Sequence, residues 1–581
     1  MSSPSQEQLP SQPLDLPEDE AEEFTLGAGL NLADPNSPLA RFYLRGSHVL
    51  GALGLALLFI WFTHLPVWHT DVWAHLRFGE YIVTQGKLPE REMFSGELAD
   101  QESPYINYQW LAQAGAYWLF DLGRRLAAPN EEAQLAAGAL LLSTAHGIIL
   151  CLRFVLLLVA FHRLTRSFSW ALVGLALVFA TAVFSHLWIL RPQILGEMGF
   201  AALLVALSRP VLSRRAFLLV PAILVLWANC HGSFPMGFIL LGVVLAGQVL
   251  EVVIRQGRET GLHLAEMLRA LLTDPQVQSL LGVIILSLVA VAVLNPHGPM
   301  LFLHSYRLQS NPNIPTMEEW KPVPVKSLSG YTFLATLALL VPLLRKSPAR
   351  FTATQVLLLL VFGLQSLAHA RILVWWSMVF PWVVLPHLQA WGAQAFPNLL
   401  REAAPPNLRW TLGSLVGVPL LLLYSGPLQW LVFHSPPEAV RRVTAETPVQ
   451  VARELRKVYA ADHEGKLGRC IFTSETMGDY LFWDLRLDPP VHVFCYTHVH
   501  LFTREHWQQA LAVKSGEPGW QQILDEHHVE FVVLEPYRYS RRLGGYSDLI
   551  DQIGAAPDRW RILSEGPVFV AQRNHAFASG H

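Results

Sequence analysis

Apolar residues along this chain gather in blocks of about 15–25, and a block of that length crosses a hydrocarbon core of about 30 Å as a helix. Eleven spans are expected, at about residues 46–66, 135–162, 167–187, 194–208, 215–230, 234–254, 278–295, 329–344, 353–369, 372–388 and 410–432. Residues 353–388 are too long for one crossing, so a tight hairpin with His369-Ala370-Arg371 at its tip divides them. Two polar stretches interrupt the pattern. One is a first loop of about residues 67–134, with an amphipathic segment from Trp110 to Leu122. The other is the terminal segment 434–581. It alternates expected helices (449–459, 503–513, 546–553) with short apolar strands at 470–472, 491–494, 531–534 and 568–570, the pattern of a small α/β domain.

Composition supports the same reading. Of 581 residues, 52% are hydrophobic and 15% charged, well below the roughly 25% charged of ordinary soluble domains. A soluble chain this long would divide into several cores joined by polar linkers. The formal net charge of −3 gives a nucleic-acid partner no electrostatic support. Four cysteines without a CxxC pair argue against a structural zinc site; Cys470 and Cys495 could form one disulfide in an oxidising compartment or remain two thiols.

Charge sets the orientation. Residues 1–40 hold eight acidic side chains and no Lys or Arg, which reads as a disordered cytoplasmic tail without the basic start of a cleavable signal peptide. With the N-terminus inside, the inner segments carry fifteen Lys and Arg and the short outer loops five, as the positive-inside rule requires. The first loop and the domain after about residue 433 then face outward, and the chain is expected in the plasma (inner) membrane as a multi-pass protein.

On that outer side lie most of the residues able to do chemistry. The first loop opens with His69-Thr70-Asp71-Val72-Trp73-Ala74-His75, a carboxylate and two imidazoles at the mouth of a bundle. Such a carboxylate can act as a general base or a metal ligand, although a hydrated interfacial Asp beside a belt Trp has the same spacing. The loop continues through Gly86-Lys87-Leu88-Pro89 and Glu92-Met93-Phe94-Ser95 to Asn107-Tyr108-Gln109-Trp110-Leu111. Arg191-Pro192-Gln193, Asn229-Cys230-His231-Gly232, Asn295-Pro296-His297-Gly298, Glu318-Glu319-Trp320 and Arg371 mark the outer ends of later spans. Each alone is a good turn former or a snorkelling interface residue; together they point to one outward cavity. Arg153 and Glu197 lie deeper, as intramembrane functional groups or as a structural ion pair. His492, Cys495, His498 and His500 form a further cluster that is more ordinarily solvent-facing than metal-binding.

These residues resemble the GT-C-type integral membrane glycosyltransferases in their bacterial form. Asp71 follows the first span; Gly86, Pro89, Phe94 and Ser95 and then Gln109-Trp110-Leu111 follow in the loop. Arg191-Pro192-Gln193, Trp227 to Gly232, Asn295 to Gly298, Glu319-Trp320 and the run Gly478-Asp479-Tyr480-Leu481-Phe482-Trp483 are similarly placed. Two departures stand out: Val72 follows Asp71 where an Asp-Glu pair is expected, and Glu92 stands where an Asp is expected. The resemblance implies a sugar moved from a polyprenyl-phosphate lipid to an extracytoplasmic glycan, lipid or protein acceptor. Asp71 would be the general base and Arg191 and Arg371 would neutralise the leaving phosphate. His75, Glu92, Gln193, Asn229, His231, Asn295, His297 and Glu319 would complete the substrate site, and a divalent cation is left open as a cofactor. A transporter or flippase of a lipid-linked or polar substrate, or a non-catalytic membrane assembly protein, would use the same spans; the first predicts internal repeats, which the chain does not clearly show.

Overall fold

The computed structural model describes residues 40–67, 71–92, 105–183, 187–209, 211–259, 263–396, 405–433, 442–444, 447–535, 546–566 and 568–575. The acidic tail up to residue 39, and His69, Phe94 and Ser95 of the loop motifs, lie outside them.

The first long apolar block forms α1 (Gly46–His64). The loop after it contains two helices rather than one, α2 (Asp71–Gln85) and α3 (Trp110–Leu126). Next come α4 (Glu131–Thr165), α5 (Phe168–Ala182), α6 (Gln193–Leu207), α7 (Ala216–Cys230) and α8 (Pro235–Glu259). The short α9 (Leu264–Thr273), α10 (Pro275–Leu294), the short α11 (Met300–Gln309), α12 (Leu328–Lys346), α13 (Ala353–Ala368) and α14 (Leu373–Ala395) follow. A bent pair, α15 (Leu408–Leu422) and α16 (Gly426–Phe433), ends the bundle.

Every expected span falls on an apolar helix. Among the described residues, six are long and apolar enough to cross a membrane, the α15–α16 pair would add a seventh, and α5, α6, α7 and α13 are shorter. Local chemistry starts and stops them. Asn130 caps α4 by accepting from the Ala133 amide at 2.7 Å, and Asp274 caps α10 with Pro275 in its first turn. The expected hairpin tip is the 3-10 turn Ala370–Ile372, between α13 and α14.

The terminal region contains α17 (Val449–Ala461), β1 (Cys470–Thr473), α18 (Glu475–Asp484), β2 (His492–Val493), α19 (Arg504–Lys514), α20 (Trp520–Glu526), β3 (Val529–Leu534), α21 (Ser547–Gly554), β4 (Trp560–Glu565) and β5 (Phe569–Arg573). The sheet order is β2-β1-β3-β5-β4, with β1 parallel to β2 and β3 and with β5 antiparallel to β3 and β4. All four cysteines are free thiols, and the Cys495 thiol bonds the Thr473 carbonyl at 3.3 Å.

Two hydrophobic cores organise the molecule. One fills the helical bundle, where Trp227 and Phe200 pack on Trp375 of α14 at 5.6 and 5.0 Å between ring centroids. The other unites α2 and α3 with the terminal sheet. Trp73 of α2 meets Tyr480 and Trp483 of α18 at 4.9 and 5.0 Å, geometry in which aromatic pairs add to plain burial. The first loop and the terminal region therefore share one interior.

Candidate active site

The site forms where α2, α6, α14 and the loop before α12 converge. Asp71 is the first residue of α2, where a helix's unpaired amides favour a carboxylate. Its Oδ2 lies 2.9 Å from Nε of Arg191, which stands just before α6. The same guanidinium donates through Nη1 to Glu319 at 2.7 Å, and the other oxygen of Glu319 accepts from Nη1 of Arg371 at 2.6 Å. Arg371 also reaches the Gln193 side-chain oxygen at 3.4 Å and lies 5.4 Å from the centre of the Trp320 ring. Asp71, Arg191, Gln193, Glu319 and Arg371, all singled out in the sequence, thus form one network of two carboxylates and two guanidiniums.

Electrostatics bind it together. Burial opposes ionisation of Glu319, but Arg371 and then Arg191 outweigh it and hold the carboxyl at about 2. Burial likewise opposes the charge on Arg191, and Asp71 and Glu319 outweigh it, so the guanidinium is held above its usual value. His231, just beyond α7, stays neutral: burial first, then the charges of Arg371, His75 and Arg191, push its pKa well down. Its Nδ1 accepts the Ser233 amide at 3.0 Å, which leaves the ring proton on Nε2.

A second, uncharged set lies alongside. Asn229 Oδ1 accepts from the Trp110 indole at 2.8 Å and from Asn295 Nδ2 at 3.1 Å, and Asn295 in turn accepts the His297 amide at 3.0 Å. His75, buried on α2, contacts the Gln113 amide at 3.2 Å, and Gln113 accepts from Asn107 at 2.7 Å. Glu92 accepts from Tyr496 of the terminal region at 3.2 Å, in the shared core.

Below the network, His146, Leu150, Ile189, Ile194 and Glu197 join Arg191 and Gln193 around a cavity of about 30 Å³, room for about two waters. Arg153 and Glu197 pair with each other there, resolving the two deep charges into a single buried ion pair.

The terminal region adds residues that spacing alone did not place. Asp479 adds to the field on Arg191, and Thr497 donates to it at 3.1 Å. His498 packs 5.0 Å from the His75 ring and 5.8 Å from His500. His500 titrates near 4, lowered by burial and by Arg371. The run Gly478 to Trp483 is the signal for Asp479 in the sequence; the His-x-His pattern of 498 and 500, expected to face solvent, instead packs against α2.

A divalent cation does not fit this donor set. Asp71 and Glu319 already face guanidiniums, and among the described residues no group of three His, Cys, Asp or Glu side chains is placed to hold a metal ion.

No protein-family model and no curated relative matches the sequence. Solved structures do. Archaeal oligosaccharyltransferase AglB from Archaeoglobus fulgidus, in complex with an inhibitory peptide and a dolichol-phosphate, aligns at TM-score 0.50 and 11% identity, over 93% of this chain and 75% of that one. The A. fulgidus oligosaccharyltransferase tethered with an acceptor peptide aligns at TM-score 0.51 and 11% identity, over 91% and 74%. This chain has the GT-C fold. ArnT from Cupriavidus metallidurans, bound to undecaprenyl phosphate, aligns at TM-score 0.43 and 14% identity, over 90% of this chain and 98% of that one. At such identities the likeness is one of fold, and the resemblance read from scattered motifs holds at that level. Within the GT-C fold, the ionic network sits at one end of the bundle, under the terminal domain.

Proposed function

We propose that this protein is a membrane glycosyltransferase that moves a sugar from a polyprenyl-phosphate-linked donor to an extracytoplasmic acceptor, with Asp71 as general base. The observation that carries the reading is the Asp71–Arg191–Glu319–Arg371 network. An acid and two guanidiniums side by side are what displacement of a phosphate at an anomeric carbon needs.

The acceptor hydroxyl oxygen forms a bond to the anomeric carbon as the bond from that carbon to the phosphate oxygen breaks. The hydroxyl proton passes to Asp71, and the electron pair leaves with the lipid phosphate. Arg191 and Arg371 take up the developing charge with forked donors suited to phosphate. Arg191 is held by Asp71 before donor binds. A phosphate that draws this guanidinium away releases the Asp71 oxygens for the proton, coupling base activation to donor binding. Asn229, Asn295, His75, neutral His231 and His297 offer hydrogen bonds to sugar hydroxyls. In this reading the N-terminus is cytoplasmic, and the network, the first loop and the terminal domain are extracytoplasmic. A solved oligosaccharyltransferase of the same fold holds a dolichol-phosphate, which supports the donor class.

The test is transfer of label from a radiolabelled polyprenyl-phosphate sugar by purified protein, wild type against Asp71→Ala. Equal turnover by the variant would remove the base assignment. No turnover across a broad donor panel, with label moving across proteoliposome membranes instead, would establish a flippase.

A further inference from the structure

The loop that carries Glu319 is strung between two parts of the molecule. Its near end is fixed to the terminal domain. The buried amide of Asn313 donates through Nδ2 to the carbonyls of Val499 and Phe502, both at 3.0 Å. Asn311 donates to the His500 carbonyl at 3.2 Å, and the Trp507 indole donates to Thr316 Oγ1 at 3.0 Å. The far end is fixed to the turn between α13 and α14, where the Ala370 amide donates to the Lys321 carbonyl at 2.9 Å and His369 Nδ1 meets the Trp320 carbonyl at 2.8 Å. Glu319 lies between these anchors and grips Arg191 with one oxygen and Arg371 with the other.

Asn313 is hard to replace. Both carbonyls need a donor, and of the side chains this size only an amide supplies two N–H groups from one nitrogen. Without it, two buried carbonyls lose their partner and the loop loses its attachment beside the site.

We propose that Asn313 is a positioning residue through which the terminal domain holds Glu319, and with it the spacing of Arg191 and Arg371. Docking of the terminal domain thereby sets the geometry of the phosphate clamp. The clamp's ligand rests on the glycosyltransferase reading above; the mechanical link does not.

Two measurements on the full chain in detergent test this. Hydrogen exchange in Asn313→Ala is expected to rise in 314–321 and also in 369–373, which adjoin the mutated loop through the far anchor and the Glu319–Arg371 pair. Affinity for a polyprenyl phosphate is expected to fall roughly tenfold in Asn313→Ala. Because Asn313 acts through Glu319, adding Asn313→Ala to Glu319→Gln is expected to cost nothing further. Asn313→Asp, isosteric but lacking the donors, is expected to fail like the alanine variant. Thr316→Val removes the Trp507 acceptor together with the hydroxyl's own bond to the Asn313 carbonyl, leaves the Asn313 amide in place, and serves if Asn313 variants do not fold. Exchange unchanged at 369–373, or losses that multiply in the double variant, would overturn the proposal. A wild type that shows this coupling yet transfers no sugar would overturn the transferase reading and leave the positioning role standing.

Discussion

Replacing Arg191 with methionine keeps much of its length and removes the charge that joins both carboxylates. The lowering of Glu319 from 4.5 to about 2 is worth about 3 kcal/mol in favour of its ionised form. Two guanidiniums share that effect, and the Glu319 side chain is 25% exposed, so the part due to Arg191 is about 1 kcal/mol. The contact with Asp71, at 2.9 Å, is given up when the phosphate draws Arg191 away and adds nothing in the transition state. In the proposed transition state, one charge-assisted bond to phosphate adds about 1.5–3 kcal/mol. The sum predicts a fall in kcat/KM of about 10²–10³ for Arg191→Met, measured by label transfer across a donor concentration series. Arg191→Lys is expected to recover only part, because a single ammonium cannot span Asp71 and Glu319 as the fork does. Turnover by Arg191→Met within about threefold of wild type would refute the clamp.

Asp71→Asn keeps shape and removes the base; turnover is expected to drop about 10²–10⁴-fold with donor affinity changed little, and a large loss of affinity with kcat preserved would contradict the role. Acidification should loosen the terminal domain. Because the folded His500 titrates near 4 against an ordinary 6.5, the unfolded ring binds a proton that the folded one refuses, so stability falls as pH drops from 6.5 towards 4. His500 accounts for at most about 2 kcal/mol of this at pH 5, and thermal unfolding of His500→Gln should show a flatter pH dependence than wild type. Glu319 works in a separate window: its depressed value makes its contribution complete above 4.5 and lost as pH falls towards about 2. Gly79 marks a close crossing of α2 and α3, where an added Cβ would stand 2.1 Å from the Gln113 carbonyl. Gly79→Ala is expected to destabilise by about 1–3 kcal/mol and to shift Gln113 from His75; unchanged thermal stability would refute that crossing.

Parts of the fold escaped the linear pattern for identifiable reasons. Helix α2 does not stand out in the linear pattern because its charged and apolar residues alternate over too short a stretch to resemble a span, although Val72, Leu76 and Gly79 share one helical face and are buried. Strand β4 gives no apolar run in the sequence because it is buried on one face only and joins its neighbour from the sheet's edge. Helix α18 was present as a motif, Gly478 to Trp483, but not as a helix, although Ser474 caps it by accepting from the Met477 amide at 3.2 Å. Asn313 gave no signal at all: an Asn beside a Pro in a polar loop is an ordinary turn residue until its partners, 186 and 189 residues away, are known.

Hydropathy is a local property, so the chain by itself determined its apolar helices, the break at Arg371 and the recurrence of polar residues at their ends. It also supplied the carboxylate, guanidinium and amide groups of the site. What it could not determine was pairing. Arg191 meets Glu319 across 128 positions, Arg371 meets Gln193 across 178, and Arg153 meets Glu197 across 44. An ionic contact depends on a few ångströms of separation, and only the packing of the helices sets that distance. The same packing sends Glu92 into the shared core, brings His498 beside His75 of α2, and puts Asp479 within the field of Arg191. The site is thus a product of the bundle and the terminal domain together.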